Sequence, residues 1–238
     1  MNLNHHQHVV LASAVAAALL PTVAMAHNHG ARVSVGGSYQ HVAIGVASGN
    51  LPGVDFGISQ RAGGIGIRAR LSLARGAGAE LDSGSLRFLA YPGRRVSPYL
   101  SVGGLSLSNL AGTATETTYA VNPMTGVITP QQVAVAVPPV GVVTGFAFLG
   151  LHSSIPVNSA LTLTGHVAIG AGLGGSATGL PPAMGARSEI ARSYGVAMRY
   201  RLAGGPVLSI GYSAQSIPMR GSALKVGGVE ASVSGRFH

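Results

Sequence analysis

Hydrophobic and polar residues alternate with a period of two along most of the chain, most clearly in its last segment. Between residues 228 and 237, one face carries Val229, Ala231, Val233, Gly235 and Phe237. The opposite face carries Gly228, Glu230, Ser232, Ser234 and Arg236. Successive side chains of a β-strand point to opposite faces, so this pattern predicts a strand with one apolar face. The same alternation recurs at 65–73, 161–169, 196–202 and 207–212.

Segments of this kind predict ten strands along the chain. They lie at 32–47, 54–61, 64–75, 85–91, 98–108, 142–152, 160–170, 193–203, 206–216 and 225–237. The connections between them alternate in length, with short ones at 61–64, 92–97, 153–159 and 203–206, and long ones at 76–84, 109–141 and 171–192. Bacterial membrane barrels have an even number of strands, short periplasmic turns and longer extracellular loops.

We therefore predict an all-β fold, a transmembrane antiparallel up-and-down β-barrel of about 10 strands, with roughly 8–12 strands allowed. Residues 109–141 and 171–192 are the expected extracellular loops, and 133–137 leaves an additional strand open. The connections near Asn50 and Pro218 are expected at the same end, although they are short. The apolar face switches near 40–42 in the first strand and at 103–104 in the fifth, which predicts two β-bulges.

A soluble sheet with one solvated face would show the same alternation. The distribution of charge favours a membrane barrel, because arginines recur on one face while the other face carries none. Only 9% of the residues are charged, against roughly 25% in ordinary soluble domains. Mean hydropathy is +0.40. These values are typical of a protein whose outer surface contacts lipid.

The N-terminus has the features of an export signal. Residues 9–26 are apolar and end in Ala24-Met25-Ala26, a small-x-small cleavage pattern. The preceding segment contains no Lys or Arg, which departs from the usual signal. A membrane-anchoring helix is the alternative, but the many alanines and Pro21 make it a weakly hydrophobic span. We predict a cleaved signal peptide at 1–26, a barrel at 27–238, and export through the periplasm to the bacterial outer membrane.

The formal net charge of +9 comes almost entirely from arginine. The arginines are dispersed and export removes nucleic acid as a partner, so lipopolysaccharide or anionic solutes are the expected partners. Nine charged residues are predicted to face the lumen: Arg32, Arg68, Arg70, Arg87, Arg199, Arg201, Arg236, Asp55 and Glu230. They allow two interpretations. Either a lattice of salt bridges fills the barrel, or a positively charged passage selects anions.

Residues for catalysis or metal binding are sparse. The chain has no cysteine, which excludes disulfides and thiolate sites. After signal cleavage, His27 and His29 would be weak candidates for Cu(II) or Ni(II). His152 and Ser154 share one strand face, as in outer-membrane lipid A deacylases, but their partner acid is missing. We therefore expect no enzyme activity and no cofactor.

The segments Val33-Ser34-Val35-Gly36-Gly37 and Gly49-Asn50-Leu51-Pro52-Gly53-Val54-Asp55-Phe56 form a Gly-rich strand and a turn into the next strand. Together with the aromatic near the end of the closing strand, they make the chain resemble the YfaZ family of outer-membrane proteins. The resemblance implies an outer-membrane barrel and no defined activity. The chain departs from that family in its long 109–141 segment and in the His238 that follows Phe237.

The alternating residues Val229, Ala231, Val233, Gly235 and Phe237 match a C-terminal signal for the barrel-assembly machinery. Three functions stay open at this point. The first is a narrow, anion-preferring channel. The second is a non-conducting structural or surface-interaction barrel that binds lipopolysaccharide or partners through its outer loops. The third is a lipid-modifying hydrolase that uses His152 and Ser154.

Overall fold

The computed structural model describes residues 31–121, 123–180, 190–203, 205–219 and 222–236. They form ten strands: β1 (Arg32–Ile44), β2 (Ala47–Ala62), β3 (Ile65–Gly76), β4 (Ala79–Ala90), β5 (Val96–Val121), β6 (Ile128–Pro156), β7 (Leu161–Thr178), β8 (Ala191–Arg201), β9 (Val207–Met219) and β10 (Ser222–Arg236). The predicted strand number is confirmed. The signal peptide at 1–26, the candidate metal ligands His27 and His29, and Phe237 lie outside the described residues.

Every strand pairs antiparallel with its neighbours in the sequence, and β1 also pairs with β10. The closing register runs from Arg32 opposite Arg236 to Ala43 opposite Lys225. This pairing closes the sheet into a barrel and removes its edges, as a membrane-spanning sheet requires. The predicted transmembrane antiparallel β-barrel is confirmed.

Several predicted connections are shorter in the structure, because the strands extend further toward the outer end. Residues 76–84 contain a two-residue turn at Ala77-Gly78, where both residues have positive φ, 50° and 81°. Positive φ at both central residues is the geometry of a tight hairpin turn. Asn50 lies inside β2 and Pro218 inside β9. The first outer turn is at 45–46, so the predicted turn at 49–56 was wrong.

The predicted loop 109–141 is a long β-hairpin and not irregular structure. β5 and β6 pair with each other as far as Val121 opposite Ile128. The extra strand considered at 133–137 is the continuation of β6. The Thr- and Val-rich composition of this segment favours extended backbone. The predicted loop 171–192 is also shortened, because β7 continues to Thr178; residues 181–189 are outside the described part.

The outward side chains of the strands form a broad apolar belt. Val35, Leu149, Val167 and Val196 are 52–67% exposed on this surface. Such exposure of large aliphatic side chains is stable in a hydrocarbon environment and costly in water. No helix in the described part of the chain is long and apolar enough to cross a membrane.

The polarity of the two faces reverses along the strands without a change of register. In β1 the inward face carries Ser38 and Gln40 and then Val42 and Ile44, while pairing to β2 and β10 continues unbroken. In β5 pairing is also regular through Gly103-Gly104, and its irregularities lie between Leu107 and Gly112. The two predicted bulges were therefore wrong. Each face keeps pointing inward or outward along the whole strand, and what reverses is which of the two faces is apolar.

Two sections of the barrel follow from this reversal. In the inner section the outward face is apolar and the inward face is polar. In the outer section the inward face is apolar, and the outward face carries Arg75, Glu80 and Asp82. Arg75 forms ion pairs with Glu80 and, at 3.8 Å between Nη2 and Oδ1, with Asp82. The outer section is thus built like a water-soluble protein, with a buried core and a charged surface.

Candidate functional site

Most of the predicted lumen residues face the same interior space. Strand register places Arg68 and Arg70 on β3, Arg87 on β4 and Arg199 on β8 with their side chains inward, where they line internal cavities. Asp55 on β2 and Glu230 on β10 line the same space. Arg32 lines it near the periplasmic end. Arg201 and Arg236 are exposed at the periplasmic ends of β8 and β10.

Arg70 is the inward arginine that forms salt bridges. Its Nη2 lies 2.9 Å from Asp55 Oδ1 and also pairs with the Glu230 carboxylate. This bridge links β2, β3 and β10, which lie on one side of the barrel wall. It corresponds to one part of the predicted salt-bridge lattice.

The lattice does not extend to the other inner arginines. Within the described residues, Arg68, Arg87 and Arg199 form no ion pair within 4.0 Å. Arg68 lies directly opposite Arg87 in the β3–β4 ladder, and like charges in that arrangement repel. The Arg87 guanidinium lies over the Tyr99 ring, 4.4 Å from its centroid. This cation–π contact stabilises one cation without neutralising it.

Two histidines also line the interior. His152 on β6 lies directly opposite His166 on β7, and both line the cavity that holds Arg68, Arg87 and Arg199. The sequence pattern pairs His152 with Ser154, and His166 was not among the predicted site residues. The alternation at 161–169 does place His166 on the polar face, so the signal was present.

The His152–Ser154 hypothesis gains no support from side-chain geometry. The two residues share the inward face of β6, as predicted. Within the described structure no hydrogen bond joins them, and His152 Nδ1 is buried without a hydrogen-bond partner. No group of three or more His, Asp or Glu in the described part of the chain is arranged to hold a metal ion.

Three adjoining cavities occupy the inner section, and we call them together the arginine chamber. Their volumes are about 130 Å³ beside Arg32, about 100 Å³ between Arg87 and Arg199, and about 140 Å³ toward the outer section. Arg70 and Glu230 line all three cavities. A water molecule needs roughly 10–15 Å³ of such space, so each cavity holds several waters or a small solute.

The chamber ends at a group of buried apolar side chains that we call the apolar plug. Its fully buried members come from seven strands: Val42, Ile44, Leu51, Leu81, Leu105, Leu107, Leu110, Val142, Ile217 and Leu224. Phe146 and Phe148 form its lower boundary, with ring centroids 5.3 Å apart, and both also line the chamber. Leu180, which follows β7, packs against the plug from above.

Glycines on neighbouring strands make room for the two phenylalanine rings. Gly103 lies opposite Phe146 and Gly170 lies opposite Phe148. A Cβ atom at Gly103 would lie 2.6 Å from Phe146 Cζ, and one at Gly170 would lie 2.8 Å from Phe148 Cδ1. Both distances are too short for real contacts. The absence of a side chain at these positions therefore lets the rings lie across the barrel interior.

The predicted assembly signal lies where the prediction placed it, as far as it is described. Val229 and Val233 are 54% and 52% exposed on the outward face of β10, beside Ala231 and Gly235. Its function in assembly stays a prediction.

Comparison with known proteins supports the fold. The sequence matches no family model and no curated protein, so the YfaZ resemblance stays a prediction. The outer membrane protease OmpT from Escherichia coli superimposes with a TM-score of 0.54 at 9% identity, over 87% of this chain and 97% of that one. The translocator domain of autotransporter NalP from Neisseria meningitidis gives 0.45 at 14% identity, over 97% and 98%. Ail from Yersinia pestis gives 0.35 at 12% identity, over 88% and 99%.

The closed ten-strand barrel, its apolar belt and its likeness to an outer-membrane enzyme barrel agree with one another. Bacterial single-chain barrels with these features span the outer membrane, with short turns on the periplasmic side. The chain is an integral outer-membrane β-barrel protein, located in the bacterial outer membrane.

Proposed function

We propose that this barrel is non-conducting and that it acts at the cell surface, where the β5–β6 hairpin binds a protein partner. The observation that carries the first half is the apolar plug. Ten fully buried side chains from seven strands occupy the outer half of the lumen. An ion that crosses this region would lose its hydration without gaining a polar contact, which costs several kcal/mol or more.

The hairpin supports the surface role. Nine residue pairs, from Thr113–Ala136 to Val121–Ile128, extend beyond the rest of the barrel. At about 3.3 Å per residue, this ribbon projects roughly 30 Å. Tyr119, Val121 and Ile128 on it are 70%, 61% and 61% exposed. Such exposure of apolar side chains far from the lipid belt is typical of an interaction surface.

The chemistry of the ribbon favours a protein partner over lipopolysaccharide. Residues 113–139 contain one charged residue, Glu116, and no Lys or Arg for lipid phosphates. Among the described strands, 113–121 and 128–136 pair only with each other, so each has one edge of unpaired backbone groups. An extended segment of a partner can add to such an edge by main-chain hydrogen bonds, with the exposed side chains setting specificity.

Single-channel recording in planar bilayers tests the closed lumen. We expect no steady conductance from the correctly folded protein. The double substitution Phe146→Ser and Phe148→Ser removes only the lower boundary of the plug, and we expect the ten buried side chains beyond it to keep the lumen closed. Steady conductance of the unmodified protein would contradict the proposal. It would favour the narrow anion-preferring channel, which predicts a reversal potential that shifts when Arg68, Arg70 and Arg199 are replaced.

Strand addition is tested with a labelled peptide of residues 113–121 as the probe. We expect it to bind the full chain and not a shortened chain in which a two-residue turn replaces 113–136. The same peptide with alternate backbone amides N-methylated is the control, because it keeps the side chains and loses the main-chain donors. Equal binding to the full and shortened chains would contradict the role of the hairpin.

A further inference from the structure

The arginine chamber has more positive charge than its own carboxylates neutralise. Five predicted lumen arginines line it, and two carboxylates, Asp55 and Glu230, oppose them. Five minus two leaves three formal positive charges. Both carboxylates pair with one arginine, Arg70. The charges of Arg68, Arg87 and Arg199 are therefore left to water or to a solute.

These three arginines repel one another, and this repulsion destabilises the fold unless an anion lies between them. Arg68 and Arg87 lie side by side on adjacent strands, and Arg199 projects from β8, on the opposite side of the ten-strand ring from β3. All three line one cavity of about 100 Å³. The lipid belt outside and the apolar plug above lower the local dielectric constant, so repulsion among them is stronger than in water.

Neutral hydrogen-bonding groups also line this space, beside the Arg70–Glu230 ion pair. Hydroxyl groups are supplied by Ser85, Thr164, Ser209 and Ser213. His152 Nδ1 on this cavity, and Tyr99 Oη on the adjoining one, are buried and have no hydrogen-bond partner among the described residues. Buried polar atoms are normally satisfied, so these two atoms are available to hydrogen-bond a water or a solute in the cavities.

We propose that the arginine chamber binds a tetrahedral oxyanion of the phosphate class. Guanidinium groups recognise phosphate oxygens through paired N–H donors, and they approach this cavity from two opposite walls. A planar carboxylate presents its two oxygens in one plane and cannot serve both walls equally. A tetrahedral anion presents oxygens in all directions. The anion lies between Arg68 and Arg87 on one side and Arg199 on the other.

The anion enters from the periplasmic end. The plug closes the outer end of the chamber, whereas the cavity of about 130 Å³ continues to Arg32, beside the periplasmic ends of β1 and β10. Arg201 and Arg236 at this rim add positive charge that attracts anions toward the opening. The ligand is a solute of the periplasm, since strands separate the chamber from the bilayer on every side.

Isothermal titration of the full chain tests the site, in a detergent that contains neither phosphate nor sulfate. The probes are inorganic phosphate, glycerol phosphate, sulfate and chloride at constant ionic strength. We expect inorganic phosphate and sulfate to bind and chloride to give no saturable signal. Binding of glycerol phosphate would show that the site accepts a terminal phosphate group. If glycerol phosphate does not bind and inorganic phosphate does, only the free anion fits the site.

Two variants on one strand provide the matched comparison. Arg199→Gln removes an inward guanidinium, and we expect phosphate affinity to fall by about tenfold. Arg192→Gln removes an exposed arginine of the same strand that faces outward, and we expect no change. No phosphate binding to the unmodified chain, or an equal loss in both variants, would overturn the proposal.

Thermal unfolding separates binding from folding. Without phosphate, Arg68→Gln relieves repulsion with Arg87, so we expect an unchanged or higher midpoint. With phosphate, we expect the midpoint of the unmodified chain to rise and that of the variant to rise less. An equal rise in both proteins would overturn the site. The bilayer recordings test whether the lumen conducts, and the titration and unfolding experiments test whether it binds an anion. Either property can therefore fail while the other holds.

Discussion

The inner and outer sections of the barrel use the same strands with opposite polarity. In β4, the inward residues change from Arg87 and Ser85 to Ser83 and then to Leu81. The outward residues change from Phe88 to Asp82 and Glu80 over the same distance. In lipid the hydrophobic effect acts on the outer surface of a barrel, whereas above the bilayer it acts on the interior. One strand therefore suits both lipid and water, because the polarity of its inward and outward faces reverses at the boundary between the two sections.

The largest expected effect comes from placing a charge on either side of this boundary. Leu81→Asp buries a carboxylate in the apolar plug, and we expect a loss of about 3–5 kcal/mol in the free energy of unfolding. Ser83→Asp is the matched change two residues away, on the same inward face, and there the carboxylate faces Arg70 and Arg87. We expect it to be neutral or stabilising. Urea unfolding followed by circular dichroism measures both, since the chain has no Trp. Equal losses would contradict the division into two sections.

The next comparison sets an interior ion pair against a surface one. Glu230→Gln leaves Arg70 with Asp55 alone and adds to the unbalanced charge in the chamber. We expect a loss of about 1–3 kcal/mol. Glu80→Gln removes a partner of Arg75 on the exposed outer surface, where ion pairs contribute little, and we expect a loss below about 1 kcal/mol. Added salt should reduce the surface effect more than the interior one. A loss of stability for Glu80→Gln as large as that for Glu230→Gln would mean that the chamber is as well solvated as the surface.

Sequence periodicity correctly predicted which residues face inward in the inner section, and it gave a wrong prediction, two β-bulges, where the outer section begins. The alternation around Arg68, Arg70 and Arg199 has one polar face throughout, so the strand direction and the inward residues could be predicted. Around Val42 and Gly103 the alternation changes sign, and a sequence pattern does not distinguish a bulge from a change of solvent. Which arginines pair depends on contacts between distant strands, such as Arg70 with Glu230. That information is absent from local periodicity.

Packing around the phenylalanine rings gives a smaller effect. Gly103→Val places a side chain against Phe146 at the lower boundary of the plug, and we expect overpacking to cost about 1–3 kcal/mol. Gly235→Val is the control, because a Cβ atom there meets nothing within 4 Å on the described structure. We expect a change within about 0.5 kcal/mol for that variant. The unfolding midpoints in urea measure both changes. A loss at Gly103 no larger than that at Gly235 would show that the rings can move aside.

The smallest expected effect on stability comes from the largest change in the chain, replacement of residues 113–136 by a two-residue turn. Within the described structure, 113–121 pairs only with 128–136, so the deletion removes no contact of the plug or the chamber. We expect the free energy of unfolding, measured in urea, to change by less than about 0.5 kcal/mol. Binding of the 113–121 peptide should be lost. A large loss of stability would show that the hairpin covers the outer section and contributes to its core. The exposed Tyr119 and Ile128 would then have a structural role, and the case for a surface partner would lose its main support.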